Sequence, residues 1–237
     1  MRTTIAARVH PMRRMSRYLA YAVALAPVMA LSAGLDDAFV AMDKTAQQFR
    51  SVTADIHRDI YTALIDDHQK DTGVIKAKRE KSHDTMMLIE LEGPQAKSIE
   101  LGGGEAEIYT PKIKTVEKHK VSPGLVDQFL LLGFGTPSAD VKRQYAVTYA
   151  GVEKVGSDTT WHLQLVPKSP EELKYLTKAE LWVSQTSGLP VREKLFTSAT
   201  GDYMLVDYSD VKLNPSLSDK DVKLNLPRGV TTDHPRQ

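Results

Sequence analysis

The feature that most limits the fold of this 237-residue chain is a long series of short, β-rich segments separated by turn residues. The strands follow one another with few helices between them. The pattern therefore predicts a mainly β (α+β) fold with one curled antiparallel sheet and helices on one side. The predicted strands are 53–64, 73–81, 85–92, 96–101, 105–109, 115–120, 145–154, 160–167, 179–185, 191–198, 202–213 and 222–226.

Glycine and proline clusters mark the predicted turns. We expect turns at 66–73 and at Gly93-Pro94, because glycine tolerates positive φ and proline stops ladder pairing. The triple glycine 102–104 is interpreted as a hairpin turn. No helix and no Lys-Ser/Thr pair follows it, so it does not have the pattern of a phosphate-binding loop.

Two helical segments stand out. Apolar residues from Leu35 to Phe49 recur at helical spacing with charged residues between them, which predicts an amphipathic helix. The stretch 125–132 is apolar on nearly every side. It is either a buried core helix or a helix that lies across an apolar cavity. A capping box at Ser169-Pro170-Glu171-Glu172 predicts a further helix of one or two turns.

Two strands are apolar on both faces, where a half-exposed sheet should alternate. These are Met86–Ile89 and Tyr203–Val206. Either helices and the curled sheet bury the second face completely, or part of that face lines a cavity for an apolar ligand. The flexible methionines suit a site for irregular hydrocarbon and fill core gaps equally well.

The N-terminal end has the pattern of a secretory signal peptide, predicted over residues 1–33. Five arginines and no acid precede or flank the apolar run Tyr18–Leu31, and small residues follow it near Ala33. Pro27 and the short run argue against a retained membrane anchor, and Arg13-Arg14 lacks the hydrophobic neighbours of a twin-arginine signal. Met12 or Met15 is an alternative start.

Removal of residues 1–33 leaves 26 basic against 30 acidic side chains. This balance makes nucleic acid an unexpected partner. We therefore expect a protein that is soluble and periplasmic, with at most transient membrane contact, built as a single domain over 34–237 with a short flexible C-terminal tail.

The sequence gives little support for catalysis. The absence of cysteine excludes thiolate nucleophiles, disulfides and cysteine-ligated metals. The seven histidines have no H-E-x-x-H or H-x-H spacing, and the chain has no G-x-S-x-G motif. The expectation is that the protein is not an enzyme and has no cofactor and no metal site.

Four motifs in the C-terminal half give a family resemblance. They are L-x-L-x-P-K at 163–168, L-W-V at 181–183, T-S-G-L-P-V-R at 186–192 and L-P-R-G-V-T at 226–231. Their order and spacing, with the N-terminal amphipathic helix and the apolar mid-chain helix, resemble the outer-membrane lipoprotein carrier family, the LolA/LolB-like lipoprotein-sorting proteins. The resemblance covers nearly the whole chain after residue 33.

The resemblance implies an open, half-closed antiparallel β-barrel with helices lidding its concave apolar face. It also implies a carrier that shields the acyl chains of lipoproteins, or another lipidated cargo, between an inner-membrane donor complex and an outer-membrane acceptor. One sixteen-carbon chain costs roughly 12 kcal/mol to expose to water, at about 0.8 kcal/mol per CH₂. Such a cargo therefore needs an apolar cavity.

The resemblance also suggests residues for the site. Arg79, within Lys78-Arg79-Glu80, occupies the strand in which family members carry an arginine that steadies the closed lid, although Glu80 stands where they have proline. The remaining candidates are assigned to the lid (Leu125, Val126, Phe129 and Leu130) and to the cavity wall (Met86, Leu88, Met204 and Val206).

A second interpretation comes from another functional class. The same scaffold resembles the N-terminal domains of periplasmic stress sensors, which bind misplaced lipids or proteins and regulate a membrane-bound signalling partner. This chain is too short for the second domain of those sensors.

Overall fold

The computed structural model describes residues 27–81, 84–121 and 132–234. These residues form two α-helices, α1 (Pro27–Gln48) and α2 (Ser138–Gln144), and twelve β-strands. The strands are β1 (Ser51–Thr62), β2 (Asp67–Lys81), β3 (Asp84–Glu92), β4 (Lys97–Gly102), β5 (Glu105–Thr110), β6 (Thr115–Lys120), β7 (Tyr145–Val155), β8 (Asp158–Pro167), β9 (Lys178–Ser184), β10 (Pro190–Phe196), β11 (Tyr203–Leu213) and β12 (Thr231–Asp233).

All twelve strands belong to one open sheet, in the order β12-β6-β5-β4-β3-β2-β1-β11-β10-β9-β8-β7. Strands β1 to β6 form one half and β7 to β11 the other, and the antiparallel β1–β11 pair joins the two halves. The only parallel pair in the described part of the sheet is β12 with β6. The predicted mainly β, open half-barrel fold is confirmed.

The strand boundaries follow the turn chemistry with one exception. Gly103 and Gly104 have φ of 59° and 81° and connect β4 directly to β5, as a two-residue hairpin with two positive φ values requires. The predicted turn at 66–73 is wrong, because β2 already begins at Asp67. The turn lies at 63–66 instead, with Asp66 in the left-handed region at φ 50°.

Helix α1, described over Pro27–Gln48, confirms the predicted amphipathic helix. Its buried residues Ala38, Phe39 and Met42 pack in a cluster with Leu163 and Leu181 of β8 and β9. The helix thus covers the concave face of the sheet at the β7–β9 end. The predicted cleavage position near Ala33 lies within α1 and stays a prediction.

The short helix α2 was not predicted and is tied to α1. Asp43 of α1 accepts hydrogen bonds from the backbone N–H and the hydroxyl of Ser138, both at 2.7 Å. Lys142 lies over the ring of Phe39, 4.2 Å from its centroid. The two helices therefore form one cover over this end of the sheet. Neither helix has both the length and the apolarity to cross a bilayer, and the same holds for every helix in the described ranges.

The C-terminal part crosses the convex face of the sheet. The predicted strand 222–226 is wrong: Asp219–Val222 is a 3-10 helix that begins with a capping box of Ser218 and Asp221. Lys78 of β2 pairs with Asp219, and the N–H of Leu224 donates to Glu100 of β4 at 2.7 Å. The helix of one or two turns predicted to begin at the Ser169 capping box is a 3-10 helix, Glu172–Lys174, with Glu171 in place of Ser169 at its N-cap.

Candidate ligand cavity

An apolar cavity of about 380 Å³ lies on the concave face of the sheet. Strands β1 to β6 supply most of its wall, and β10 and β11 close one side. Sixteen of the described residues line it: twelve are apolar, and four carry polar groups, namely Arg58, His119, Glu193 and Tyr208. The apolar lining residues are Ile56, Ile75, Ile89, Leu91, Ile99, Leu101, Ala106, Ile108, Val121, Leu195, Met204 and Val206.

The two described helices, α1 and α2, pack over one half of the concave face, and the cavity lies over the other half. Two clusters of buried residues divide that face: one joins α1 and α2 to β7–β10, and the other lies over β1–β5 and β11. The second cluster includes Phe49 and Phe134, and Ile89 and Ile99 pack against it while staying partly exposed. An open apolar surface of this kind fits hydrocarbon better than a polar ligand.

Three ionisable side chains lie with Val206 in one cross-strand row on the concave face, which we call the polar row. Cross-strand pairing aligns Glu193 of β10 with Val206 of β11, Val206 with Arg58 of β1, and Arg58 with Asp71 of β2. Arg58 donates from Nη2 to Oδ2 of Asp71 at 2.5 Å. The buried atoms Arg58 Nε, Asp71 Oδ1 and Glu193 Oε1 have no partner among the described residues.

Glu193 is the most deeply buried acid of this row, with 2% of its surface exposed. Tyr208 donates from its hydroxyl to Oε2 of Glu193 at 3.0 Å. Burial nevertheless raises the pKa of Glu193 to about 8, and the Tyr208 hydrogen bond offsets only part of that effect. Glu193 is therefore a neutral carboxylic acid at pH 7, set in a largely apolar wall.

Arg79 links β2 to the chain that follows residues 122–131. It donates from Nη2 to the backbone oxygen of Gly135 at 3.1 Å, and its guanidinium lies 4.6 Å from the centroid of the Phe49 ring. Gly135 has φ 74°, and a Cβ there would lie 2.4 Å from the Phe49 side chain. Arg79, Phe49 and Gly135 thus form a tightly packed contact, the Arg79 junction.

The structure places the predicted wall residues on two different faces. Met204 and Val206 line the cavity. Met86 and Leu88 correspond to the opposite face of β3, because Ile89 and Leu91 of that strand line the cavity and side chains alternate along a strand. The wall assignment of Met86 and Leu88 is corrected accordingly. Leu88 is buried on the face that carries Lys76 and Lys78, beside the C-terminal 3-10 helix.

The predicted lid residues Leu125, Val126, Phe129 and Leu130 lie outside the described residues, so their assignment stays a prediction. Leu132 and Phe134, which follow them, are buried in the two clusters. Phe134 packs edge-on against Tyr208, with ring centroids 5.0 Å apart. The chain next to the predicted lid is thereby joined to the wall of the cavity.

Sequence reasoning missed Arg58, Asp71 and Glu193. A signal for two of them was present: Ile56, Arg58 and Ile60 share one face of β1 by alternation, which places the arginine among apolar residues. In β10, three successive charges at 192–194 require that at least one charged side chain points to the concave face. No group of side chains suited to hold a metal ion occurs in the described ranges.

Comparisons with known proteins support the fold and go no further. No family model matches this sequence. No curated protein matches it either. Among solved structures, an uncharacterized conserved protein from Thermus thermophilus is similar at a TM-score of 0.52 and 9% identity, over 86% of this chain and 98% of that one.

Two other solved structures have more informative names. MucB, in the Pseudomonas aeruginosa MucA/MucB complex, matches at a TM-score of 0.46 and 13% identity, over 80% of this chain and 61% of MucB. A LolA superfamily protein from Nitrosomonas europaea matches at a TM-score of 0.37 and 15% identity, over 79% of this chain and 97% of that one. At these identities the likeness concerns the fold alone, and matches below a TM-score of 0.5 add nothing about function.

Proposed function

We propose that this protein is an exported carrier that shields the acyl chains of a lipoprotein, or of another lipidated cargo, in the concave cavity. The observation that carries the proposal is the cavity itself. Within the described part of the chain, twelve apolar side chains, all but Val121 from seven adjacent strands, face a common space that α1 and α2 do not cover. Leaving so much apolar surface unfilled costs free energy, which a bound acyl chain offsets by leaving water.

The proposed mechanism is binding and release without covalent chemistry. Acyl chains enter the cavity over β1–β6 while the α1–α2 cover stays in place on β7–β9. The Arg79 junction fastens the chain that follows residues 122–131 to the end of β2. Opening at this junction exposes the cavity, and closing it covers the cargo. The predicted signal peptide supports a periplasmic location for this cycle, between a donor at the inner membrane and an acceptor at the outer membrane.

The first test is native mass spectrometry of protein purified gently from the cells that produce it, before and after extraction with organic solvent. An acylated species that accompanies the protein and disappears on extraction is the expected result. A bare protein mass in unextracted material would contradict a filled cavity. It would favour the alternative of a sensor that binds a membrane-bound signalling partner.

A matched pair of substitutions tests the location of the site. Ile99→Asp puts a charge into the cavity wall, whereas Ile113→Asp makes the same change at an exposed turn, where 62% of the residue is accessible. We expect Ile99→Asp to lower the retained acyl species at least tenfold and Ile113→Asp to leave it unchanged. Circular dichroism of both variants checks that the sheet is intact. Equal retention by the two variants would place the lipid elsewhere.

A further inference from the structure

The polar row in the cavity wall carries a more specific inference about the cargo, which rests on the proposed function. A wall made only to hold hydrocarbon needs no polar group, and burying one without a partner is costly. Here the wall contains a buried glutamic acid and an arginine whose side chain is only 17% exposed. Each directs one buried hydrogen-bonding atom, Oε1 and Nε respectively, to no protein partner in the described residues.

The protein contacts decide what these two atoms offer a ligand. Tyr208 donates to Oε2 of Glu193, so the proton of the neutral carboxyl is available on Oε1. Asp71 accepts a hydrogen bond from Nη2 of Arg58, and the Nε–H of Arg58 remains available as a donor. Glu193 and Arg58 are two strands apart on one row, a separation of about 10 Å between backbones that their long side chains shorten. The cavity therefore presents two donors along one row.

A neutral acceptor fits this arrangement. An ionised ligand is unfavourable in this apolar wall, because Asp71 already balances the charge of Arg58 and Glu193 is neutral. A hydroxyl or an amine brings an O–H or N–H group of its own, and that group would need an acceptor that neither the Arg58 Nε–H nor the proton-bearing Oε1 of Glu193 supplies. The acyl carbonyl at the head of a fatty chain is neutral, accepts hydrogen bonds and is attached to the hydrocarbon that the rest of the cavity accommodates.

We propose that Glu193 and Arg58 bind the acyl carbonyl oxygens of the cargo, so that the cavity selects acylated ligands over hydrocarbon or alkyl ethers of the same length. Glu193 is the specificity-determining residue of the pair. Its carboxyl group replaces the water that solvates the carbonyl, while the chain beyond the carbonyl packs against the isoleucines of β1–β5.

Two lipids that differ only in the carbonyl test this proposal. Dioctanoylphosphatidylglycerol contains two ester carbonyls, and its dioctyl ether analogue contains none. Isothermal titration calorimetry with the purified protein, each lipid below its critical micelle concentration, gives the ratio of the two dissociation constants. The wild-type protein is expected to bind the ester about tenfold more tightly, the effect of one net hydrogen bond.

Variants assign the preference to Glu193. Glu193→Leu is expected to bind both lipids equally, whereas Glu193→Gln keeps an N–H donor and retains most of the preference. Glu92→Leu makes the same change at an exposed acid of β3 that does not line the cavity, and it is expected to leave the ratio unchanged. Circular dichroism confirms that each variant is folded.

The outcomes separate the two proposals. Equal binding of both lipids by the wild-type protein, or a preference that persists in Glu193→Leu, overturns the carbonyl site and leaves the acyl carrier standing. Failure of the wild-type protein to bind either lipid overturns both.

Discussion

Single residues set the chemistry of the cavity, and Glu193 is the clearest case. A carboxyl group with 2% exposure, one hydrogen bond and an apolar wall around it keeps its proton to about pH 8. The groups near it are Tyr208, Tyr145 and Arg58. Burial also raises the pKa values of both tyrosines, so at neutral pH the arginine is the only charged group of this set.

The raised pKa of Glu193 makes folding stability depend on pH. Below about pH 4.5 the carboxyl is protonated in both the folded and the unfolded protein. Between about pH 4.5 and pH 8 it loses its proton in the unfolded protein and keeps it in the folded protein. The free energy of unfolding therefore falls as pH rises through this window, by about 1.4 kcal/mol for each pH unit. We expect Glu193→Gln to lose this dependence and to be more stable than wild type by roughly a few kcal/mol at pH 8.

Urea unfolding at several pH values across this window measures the effect as the difference between variant and wild type. Glu92→Gln, at an exposed acid of β3, is the matched control and should follow the wild-type curve. A Glu193→Gln curve parallel to that of the wild type would show that the carboxyl is ionised in the folded protein.

Gly135 is a second residue whose identity is fixed by its surroundings. Gly135→Ala adds a Cβ against the Phe49 ring and strains a φ of 74°. Strain alone costs about 1 kcal/mol, and the overlap adds to it, for a total on the order of 2–4 kcal/mol. Gly156→Ala is the control, because its φ of 58° is comparable and no atom lies within 4 Å of the new Cβ. Equal losses of stability in urea unfolding would show that Phe49 moves away without cost.

At the level of elements, the Arg79 junction joins β2, the end of α1 and the chain after residues 122–131. The Arg79 guanidinium contacts both of the other segments: it donates a hydrogen bond to the backbone oxygen of Gly135 and lies over the ring of Phe49. The resemblance suggested Arg79 as a lid switch from its strand alone. The contacts show which backbone group it holds, and the switching itself stays a proposal.

Arg79→Gln is expected to loosen this contact while leaving the sheet intact. One charged hydrogen bond and one cation–π contact together stabilise the junction by roughly 1–3 kcal/mol. Amide hydrogen exchange at residues 132–137 should therefore become about tenfold faster, with little change in β8 and β9. Arg143→Gln, on the exposed surface of α2, should leave the exchange unchanged. If exchange stays at the wild-type rate in Arg79→Gln, the Arg79 junction does not hold this segment closed and has no part in the proposed mechanism.

Strand identity was largely predictable from the sequence, and face assignment was not. Turn residues such as Gly103 and Gly104 restrict φ locally, so the hairpin between β4 and β5 could be placed without tertiary information. In β3, by contrast, both faces are apolar, and alternation could not show whether Leu88 or Ile89 faces the cavity. Coverage of the convex face by the C-terminal 3-10 helix decides this, and that segment is distant in sequence.

At the scale of the whole molecule, one continuous sheet joins two clusters of buried residues. Met204 packs against both clusters, and the β1–β11 pair carries hydrogen bonds between the two halves. Neither half can unfold without exposing the inner edge of the other. We therefore expect the domain to unfold in one cooperative transition.

The two tryptophans allow a direct test. Trp161 and Trp182 both lie in β8–β9, so their fluorescence reports on one half of the sheet, whereas far-ultraviolet circular dichroism reports on all twelve strands. The two signals should give coincident unfolding curves in urea. A midpoint for fluorescence that differs from that for circular dichroism would show that the two halves unfold separately.

The sequence by itself determined the class of fold, most of the strands, the amphipathic part of α1 and the apolar character of the interior. These properties depend on local spacing, because alternation, helical periodicity and glycine φ values act over a few residues. Only the tertiary structure decided that the helices cover one half of the concave face, that β1 pairs with the distant β11, and that Glu193, Arg58 and Asp71 lie on one row. Those relations depend on which distant segments pack together, and no local pattern encodes that choice.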